Sequence, residues 1–223
     1  MSAKLFFSAV TKFLLGVVLV GLLIFLPAGT LDFVNGWIFM GVLFVPMLIA
    51  GIVMIIKNPK LLQSRLDAKE KQKEQNVVIK LSGLMFIAGF VLAGLDYRFQ
   101  WLPLPPWVTF VAGGIFLLGY LMLAEVLREN TFLSRTIKVE EGQTVVDTGL
   151  YGIVRHPMYT ATLILFLSMP FVLGSLISFF VFLLYPVLIV VRILGEEKLL
   201  EQELTGYVEY KKKVKYRLIP FLW

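Results

Sequence analysis

The run PMYTATLILFLSMPFVLGSLISFFVFLLYPVLIVVRIL, residues 157–194, is almost wholly apolar and too long for a single membrane crossing, which takes about 20 residues. Gly174-Ser175 near its centre divides it into two spans of roughly 17–20 residues, each just able to cross a hydrocarbon core of about 30 Å. A tight pair of membrane helices is therefore expected. Further apolar windows lie at roughly 5–27, 36–56, 77–98 and 106–127, so the expected fold is an all-α polytopic membrane protein with about six transmembrane helices. The first window is longer than the apolar part of a signal peptide and is only weakly followed by a cleavage pattern, so it is read as a helix.

Composition and charge placement agree with a membrane fold. Apolar residues make up 58% of the 223 and the net charge is +6; the mean hydropathy is +0.84, beyond what a soluble core needs. With one histidine and no cysteine, disulfides, thiolate chemistry and a zinc or haem site are not expected. Basic residues are interspersed between apolar runs rather than drawn into one stripe, which points to membrane topology and not to nucleic acid. Lys4, the group from Lys57 to Lys73, Arg128, Arg135, Lys138 and Arg155, and the group from Lys198 to Arg217 all fall on one side of a six-helix chain. Opposite loops carry almost none, with Arg98 as the exception, so both termini are expected to be cytoplasmic. The charged run from Lys69 to Lys73 reads as a solvated juxtamembrane helix.

Between the fourth and fifth helices the pattern changes. Residues 135–147 alternate β-branched with polar side chains around Glu141-Gly142, which suits a short cytoplasmic β-hairpin. Thr148-Gly149 then supplies turn chemistry, and Pro157 fits the first turn of a new helix. That places His156, the single histidine, beside a helix N-terminus, where unpaired amides and the positive dipole end suit a carboxylate or phosphate. Arg155 and Tyr159 offer further donors. At the end of the last span, Arg192 and Glu196 share a helix face while Glu197 lies about 100° further round. Two readings stay open for them, an ion pair on an emerging helix and a pocket wall. In the tail, Tyr207 and Tyr210 share one side of a helix that suits either an interfacial position or a pocket lid, with aromatic faces fit for a purine or a sulfonium.

Three motifs in order, Gly149-Leu-Tyr-Gly-Ile-Val-Arg-His-Pro-Met-Tyr159, Arg192 through Glu196-Glu197 to Leu200, and Gly206-Tyr207-Val-Glu-Tyr210 with Leu218-Ile-Pro220, resemble the isoprenylcysteine carboxyl methyltransferase family and related phospholipid methyltransferases. The likeness divides the chain into N-terminal helices one to three, residues 1–104, and a catalytic region, residues 105–223. It implies a multi-pass enzyme with a cytoplasmic active site that uses S-adenosylmethionine without a Rossmann domain, and no Gly-x-Gly-x-x-Gly follows a strand here. The partners implied are membrane lipids and a lipophilic or lipidated substrate.

By that resemblance, His156 and Tyr159 hold the cofactor's carboxylate with help from Arg155, and backbone at Gly149, Leu150 and Tyr151 closes the site. Glu197 and Tyr210 contact the rest of the cofactor, while Arg192 and Glu196 work at the reacting end. Arg192 orients an acceptor carboxylate, and Glu196 positions the acceptor or takes a proton from an amine. Two positions depart from the family pattern, Ala161 in place of glycine and Leu204 in place of phenylalanine. A sterol-reductase-like enzyme with a nicotinamide cofactor and a non-enzymatic membrane protein are the alternative readings.

Overall fold

The computed structural model describes residues 3–66, 73–134, 136–137, 139 and 141–223. Its helices are α1 (Ala3–Ala28), α2 (Val34–Lys57), α3 (Pro59–Leu66), α4 (Lys73–Phe99), α5 (Pro106–Glu129), α6 (Pro157–Val172), α7 (Leu176–Phe182), α8 (Leu184–Glu203) and α9 (Tyr207–Lys213). Long helices follow from the long apolar runs, because a chain in lipid must satisfy its backbone polar groups internally. Residues 69–72 of the charged run lie outside the described residues, as do Arg135, Lys138 and Glu140 of the expected hairpin.

Among the described residues, five helical stretches are long and apolar enough to cross a membrane: α1, α2, α4 from Gln75, α5, and α7 with α8. The break in the long C-terminal tract falls where expected, with α6 ending at Val172 and α7 starting at Leu176. The two halves are unequal, however. α6 has 16 residues, about 24 Å at 1.5 Å per residue, whereas Leu176–Glu203 has 28. Both ends of α6 are fixed by chemistry. Pro157 is its first residue and can donate no backbone hydrogen bond, and Gly174 turns the chain at φ 76°.

Among the described residues no strand pairs with another, apart from a single bridge between Pro103 and Ser175. Gly142 makes a turn at φ 73°, but the residues after it pack sideways instead of pairing. Val145 sits against a small cluster of Leu204, Tyr207, Tyr210 and Val214, and Asp147 is bonded to Lys213 at 2.7 Å.

One core runs through the whole bundle, with Phe39, Phe90, Phe116 and Phe182 in contact across α2, α4, α5 and α7. α4 touches α1, α7 and α8 and so joins the N-terminal helices to the C-terminal ones. Away from the motifs, Asp96 staples that end of the bundle. It is buried, accepts the Ser175 hydroxyl at 2.6 Å and accepts the Leu102 amide at 3.1 Å. Ser175 in turn caps α7 by accepting the Ser178 amide.

Small residues set the helix spacing within the chain. A Cβ on Gly94 would overlap the Ile24 carbonyl of α1, whereas Gly83 on the same helix has no neighbour within 4 Å. Gly94→Ala is expected to cost about 1–3 kcal/mol by overpacking, while Gly83→Ala is neutral or raises stability by up to about 1 kcal/mol. Thermal unfolding of the two variants in detergent checks the contrast.

Candidate functional site

The first motif is folded by its glycine. Residues Gly149–Gly152 form one 3-10 turn, and Gly149 holds φ 50° with the Glu129 carboxylate packed where a Cβ would lie. Glu129 accepts the Leu150 amide at 3.1 Å, and Asn130 donates to the Tyr151 hydroxyl at 3.1 Å. The end of α5 thus clamps the turn, and the turn aims Arg155, His156 and Pro157 into the start of α6.

The C-terminal tail wraps this start. The amides of Arg155 and His156 donate to the carbonyls of Tyr216 and Arg217, each at 2.9 Å. The Arg155 guanidinium donates to the carbonyls of Val214 and Lys215, each at 2.8 Å. Thr160 donates to the Leu218 carbonyl at 2.9 Å. Backbone donors at residues 155 and 156 are therefore committed to protein.

Glu197 stands at the centre of the contact. It is 3% exposed, and its Oε1 accepts Arg155 Nε at 2.7 Å and lies 3.3 Å from His156 Nε2. Its Oε2 accepts Arg217 Nε at 3.0 Å, with Lys211 Nζ at 3.9 Å. One carboxylate of α8 thus binds the head of α6 and two points of the tail. A buried charge is tolerated when it is paired and hydrogen-bonded in this way.

One turn along the α6–α8 contact, Tyr159 links the second pair. Its hydroxyl donates to Glu196 Oε2 and accepts from Arg192 Nε at 3.1 Å. Arg192 and Glu196 are thus joined through a tyrosine of another helix rather than as a surface ion pair. Gln75 of α4 accepts from Arg192 at 3.4 Å.

These side chains face a narrow cleft that opens to solvent. Tyr151, Arg155, His156, Tyr159, Arg192, Glu196 and Tyr210 all line it, whereas Gly149 and Leu150 do not, and Glu197 is buried behind Arg155 and His156. The loop 143–146, Leu204 and Tyr207 line it as well. Burial pushes the phenols of Tyr151, Tyr207 and Tyr210 up, so they remain neutral donors. Tyr210 donates to the Tyr151 carbonyl at 2.7 Å. The buried Tyr207 hydroxyl has no partner among the described residues, an uncommon and costly state that a bound polar group relieves. The cleft therefore offers aromatic faces, a carboxylate and a guanidinium within one recess. Among the described residues no cluster of potential metal ligands occurs.

Sequence reading alone missed Glu129, Asn130, Gln75 and Arg217. Glu129 and Asn130 are ordinary polar residues at a helix end, Gln75 precedes an apolar run, and Arg217 is one of many tail cations. None carries a local signal, because each gains its role through a partner distant in the chain.

Residues 107–202 match the sequence model of the Isoprenylcysteine carboxyl methyltransferase (ICMT) family. Among curated proteins, the chain is similar to the mouse Delta(14)-sterol reductase TM7SF2, 35% identical over 91 residues, which are 40% of this chain and 22% of the reductase. The chain thus spans about a fifth of the length of the curated relative that it matches.

The two tail tyrosines give opposite expectations. Tyr207→Phe removes an unpaired buried hydroxyl and is expected to raise the stability of the ligand-free protein by about 1 kcal/mol. Tyr210→Phe breaks the bond to the Tyr151 carbonyl and is expected to lower it by about 1 kcal/mol. Thermal unfolding of both variants in one detergent reads the difference in sign.

Proposed function

We propose, from the match of residues 107–202 to the isoprenylcysteine carboxyl methyltransferase family, that this chain is an integral membrane methyltransferase dependent on S-adenosylmethionine. Its acceptor is lipophilic, and the carboxylate of an isoprenylcysteine-like or lipid acid is the form favoured. The observation that carries the reading is the cleft itself, in which residues of all three motifs meet against an aromatic wall with one unpaired hydroxyl.

The residues present fit the cofactor. Tyr207 and Tyr210 with the loop 143–146 suit an adenosyl group, offering aromatic contact and the Tyr207 hydroxyl. His156 and Arg155, both buried at the cleft wall, suit the amino-acid carboxylate, and Tyr159 extends the same surface. Glu197 serves from behind by fixing the orientation of Arg155 and His156. Gly149, Leu150 and Tyr151 shape the floor through their hold on Glu129 and Tyr210. When bound, S-adenosylmethionine supplies an electrophilic methyl group on a sulfonium.

The protein's contribution is alignment and exclusion of water, since methyl transfer of this kind needs no nucleophilic residue. Arg192, held by Tyr159, orients a carboxylate acceptor. Glu196, held by the same hydroxyl, takes the proton when the acceptor is a lipid amine. Basic residues beside the motifs support a cytoplasmic position for the cleft, where a soluble cofactor and a lipid-borne acceptor would meet.

A second reading, a membrane reductase with a nicotinamide cofactor, is supported by the similarity to the sterol reductase. Calorimetric titration of the purified protein in detergent separates the two. Saturable binding of S-adenosylhomocysteine, abolished by His156→Ala and weakened about tenfold by Tyr207→Phe through loss of one hydrogen bond, is expected for the methyltransferase. NADPH binding in its place selects the reductase, and binding of neither by a monodisperse sample contradicts both.

A further inference from the structure

Gln75 lies in the N-terminal part of the chain, outside the matched residues 107–202, and belongs to none of the three motifs. It is nonetheless 2% exposed, an unusual degree of burial for a primary amide, and its environment is specific. Its Oε1 accepts from the Arg192 guanidinium at 3.4 Å, while its Nε2 fills the space where a Cβ on Gly195 would lie. Glycine in a helix interior costs about 1 kcal/mol relative to alanine. Gly195 sits inside α8, between Arg192 and Glu196, and has the effect of admitting the Gln75 amide from α4. Tyr159 of α6 at 3.1 Å and Gln75 of α4 are thus among the groups that hold the guanidinium.

We propose that Gln75 is a positioning residue that fixes the plane of the Arg192 guanidinium toward the anionic group of the acceptor, so that α4 takes part in acceptor selection. The proposal rests on the methyltransferase reading for the acceptor and on geometry alone for the fixed guanidinium. Acceptors on different helices hold a planar fork in one orientation, which a carboxylate or phosphate meets with paired hydrogen bonds. A freely rotating arginine would bind the same anion with less directional selectivity. Through this link the helices with no recognisable motif act on the reacting end of the cleft.

Two sets of measurements test it. In protein labelled with 15N-arginine, the Arg192 Nη–H signal, assigned by its loss in Arg192→Lys, is expected to exchange slowly with solvent in the wild type, because Gln75 accepts from Nη1. Gln75→Ala and Gly195→Ala are both expected to speed that exchange, and Gln75→Glu, which keeps an acceptor, to leave it slow. An Arg192 signal unchanged in Gln75→Ala overturns the proposal.

With N-acetyl-S-farnesylcysteine as the acceptor, Gln75→Ala and Gly195→Ala are each expected to raise KM about tenfold, the value of a hydrogen bond to a charged group, with S-adenosylhomocysteine affinity unchanged. The double variant is expected to be no worse than either single one, because both remove the same contact. Gln75→Glu sets a carboxylate against Arg192 and is expected to raise KM for the acid by competition. Multiplying effects, or a parallel loss of S-adenosylhomocysteine affinity, overturn the positioning role. A wild type that binds S-adenosylhomocysteine yet methylates no acid contradicts the carboxylate acceptor instead, and the arginine signal then decides the positioning.

Discussion

Glu197 is a carboxylate that cannot stand alone where it is. At 3% exposure an unpaired charge would be prohibitively unfavourable, so its position is tenable only while Arg155, His156 and Arg217 surround it. Those groups come from the entry to α6 and from the tail, and Glu197 itself comes from α8. Three segments far apart in sequence are therefore obliged to meet. Removing one member of such a set is commonly worth about 3–5 kcal/mol because the charges left behind stay buried. Orientation of the cleft-facing residues follows from the same constraint, since Arg155 and His156 are aimed by the carboxylate and Tyr159 lies one turn beyond.

The membrane bundle supplies the rigid frame for this contact. Asp96 and Ser175 tie the turn between α6 and α7 at the opposite end, which keeps α6 and α8 side by side. Glycine contacts bring α4 against α1 and against Phe182 of α7, and α4 then delivers Gln75 to α8. Nearly all of the chemistry lies at one end of the bundle, where the apolar helices give way to the turn, the loop 143–146 and the tail. The aromatic wall built by Tyr207 and Tyr210 is held down by Leu204, Val214 and Val145 and by the Asp147–Lys213 pair, whose bond also holds the Asp147 carboxyl below its usual range. An irregular segment is thus turned into one face of a cleft by burial of a few apolar side chains.

Much of this was legible in the residues. The apolar runs mark the helices, Gly174-Ser175 marks the break in the last tract, and Pro157 marks the start of α6, because each has a local cause in hydropathy or backbone chemistry. Tyr159, Arg192, Glu196 and Tyr210 are recognisable by motif and do converge on one recess. The length of the second half was not legible, since the helical stretch Leu176–Glu203 runs on well past the end of the apolar tract at residue 194. Nor was the course of residues 143–147, whose alternation suits a strand but whose side chains have a better partner in α9. The reach of the tail over the amides of Arg155 and His156, and the insertion of Gln75 beside Gly195, depend on tertiary proximity that no local pattern encodes.

Hydrogen exchange read by mass spectrometry on the wild type and on Glu197→Gln tests the keystone role of this carboxylate most directly. Neutralising it is predicted to deprotect the α6 entry around residues 152–160 and the tail around 207–219 together, while α1, α2 and α5 keep their protection. Unchanged protection of the tail in Glu197→Gln, or loosening of the tail without the α6 entry, would contradict the account.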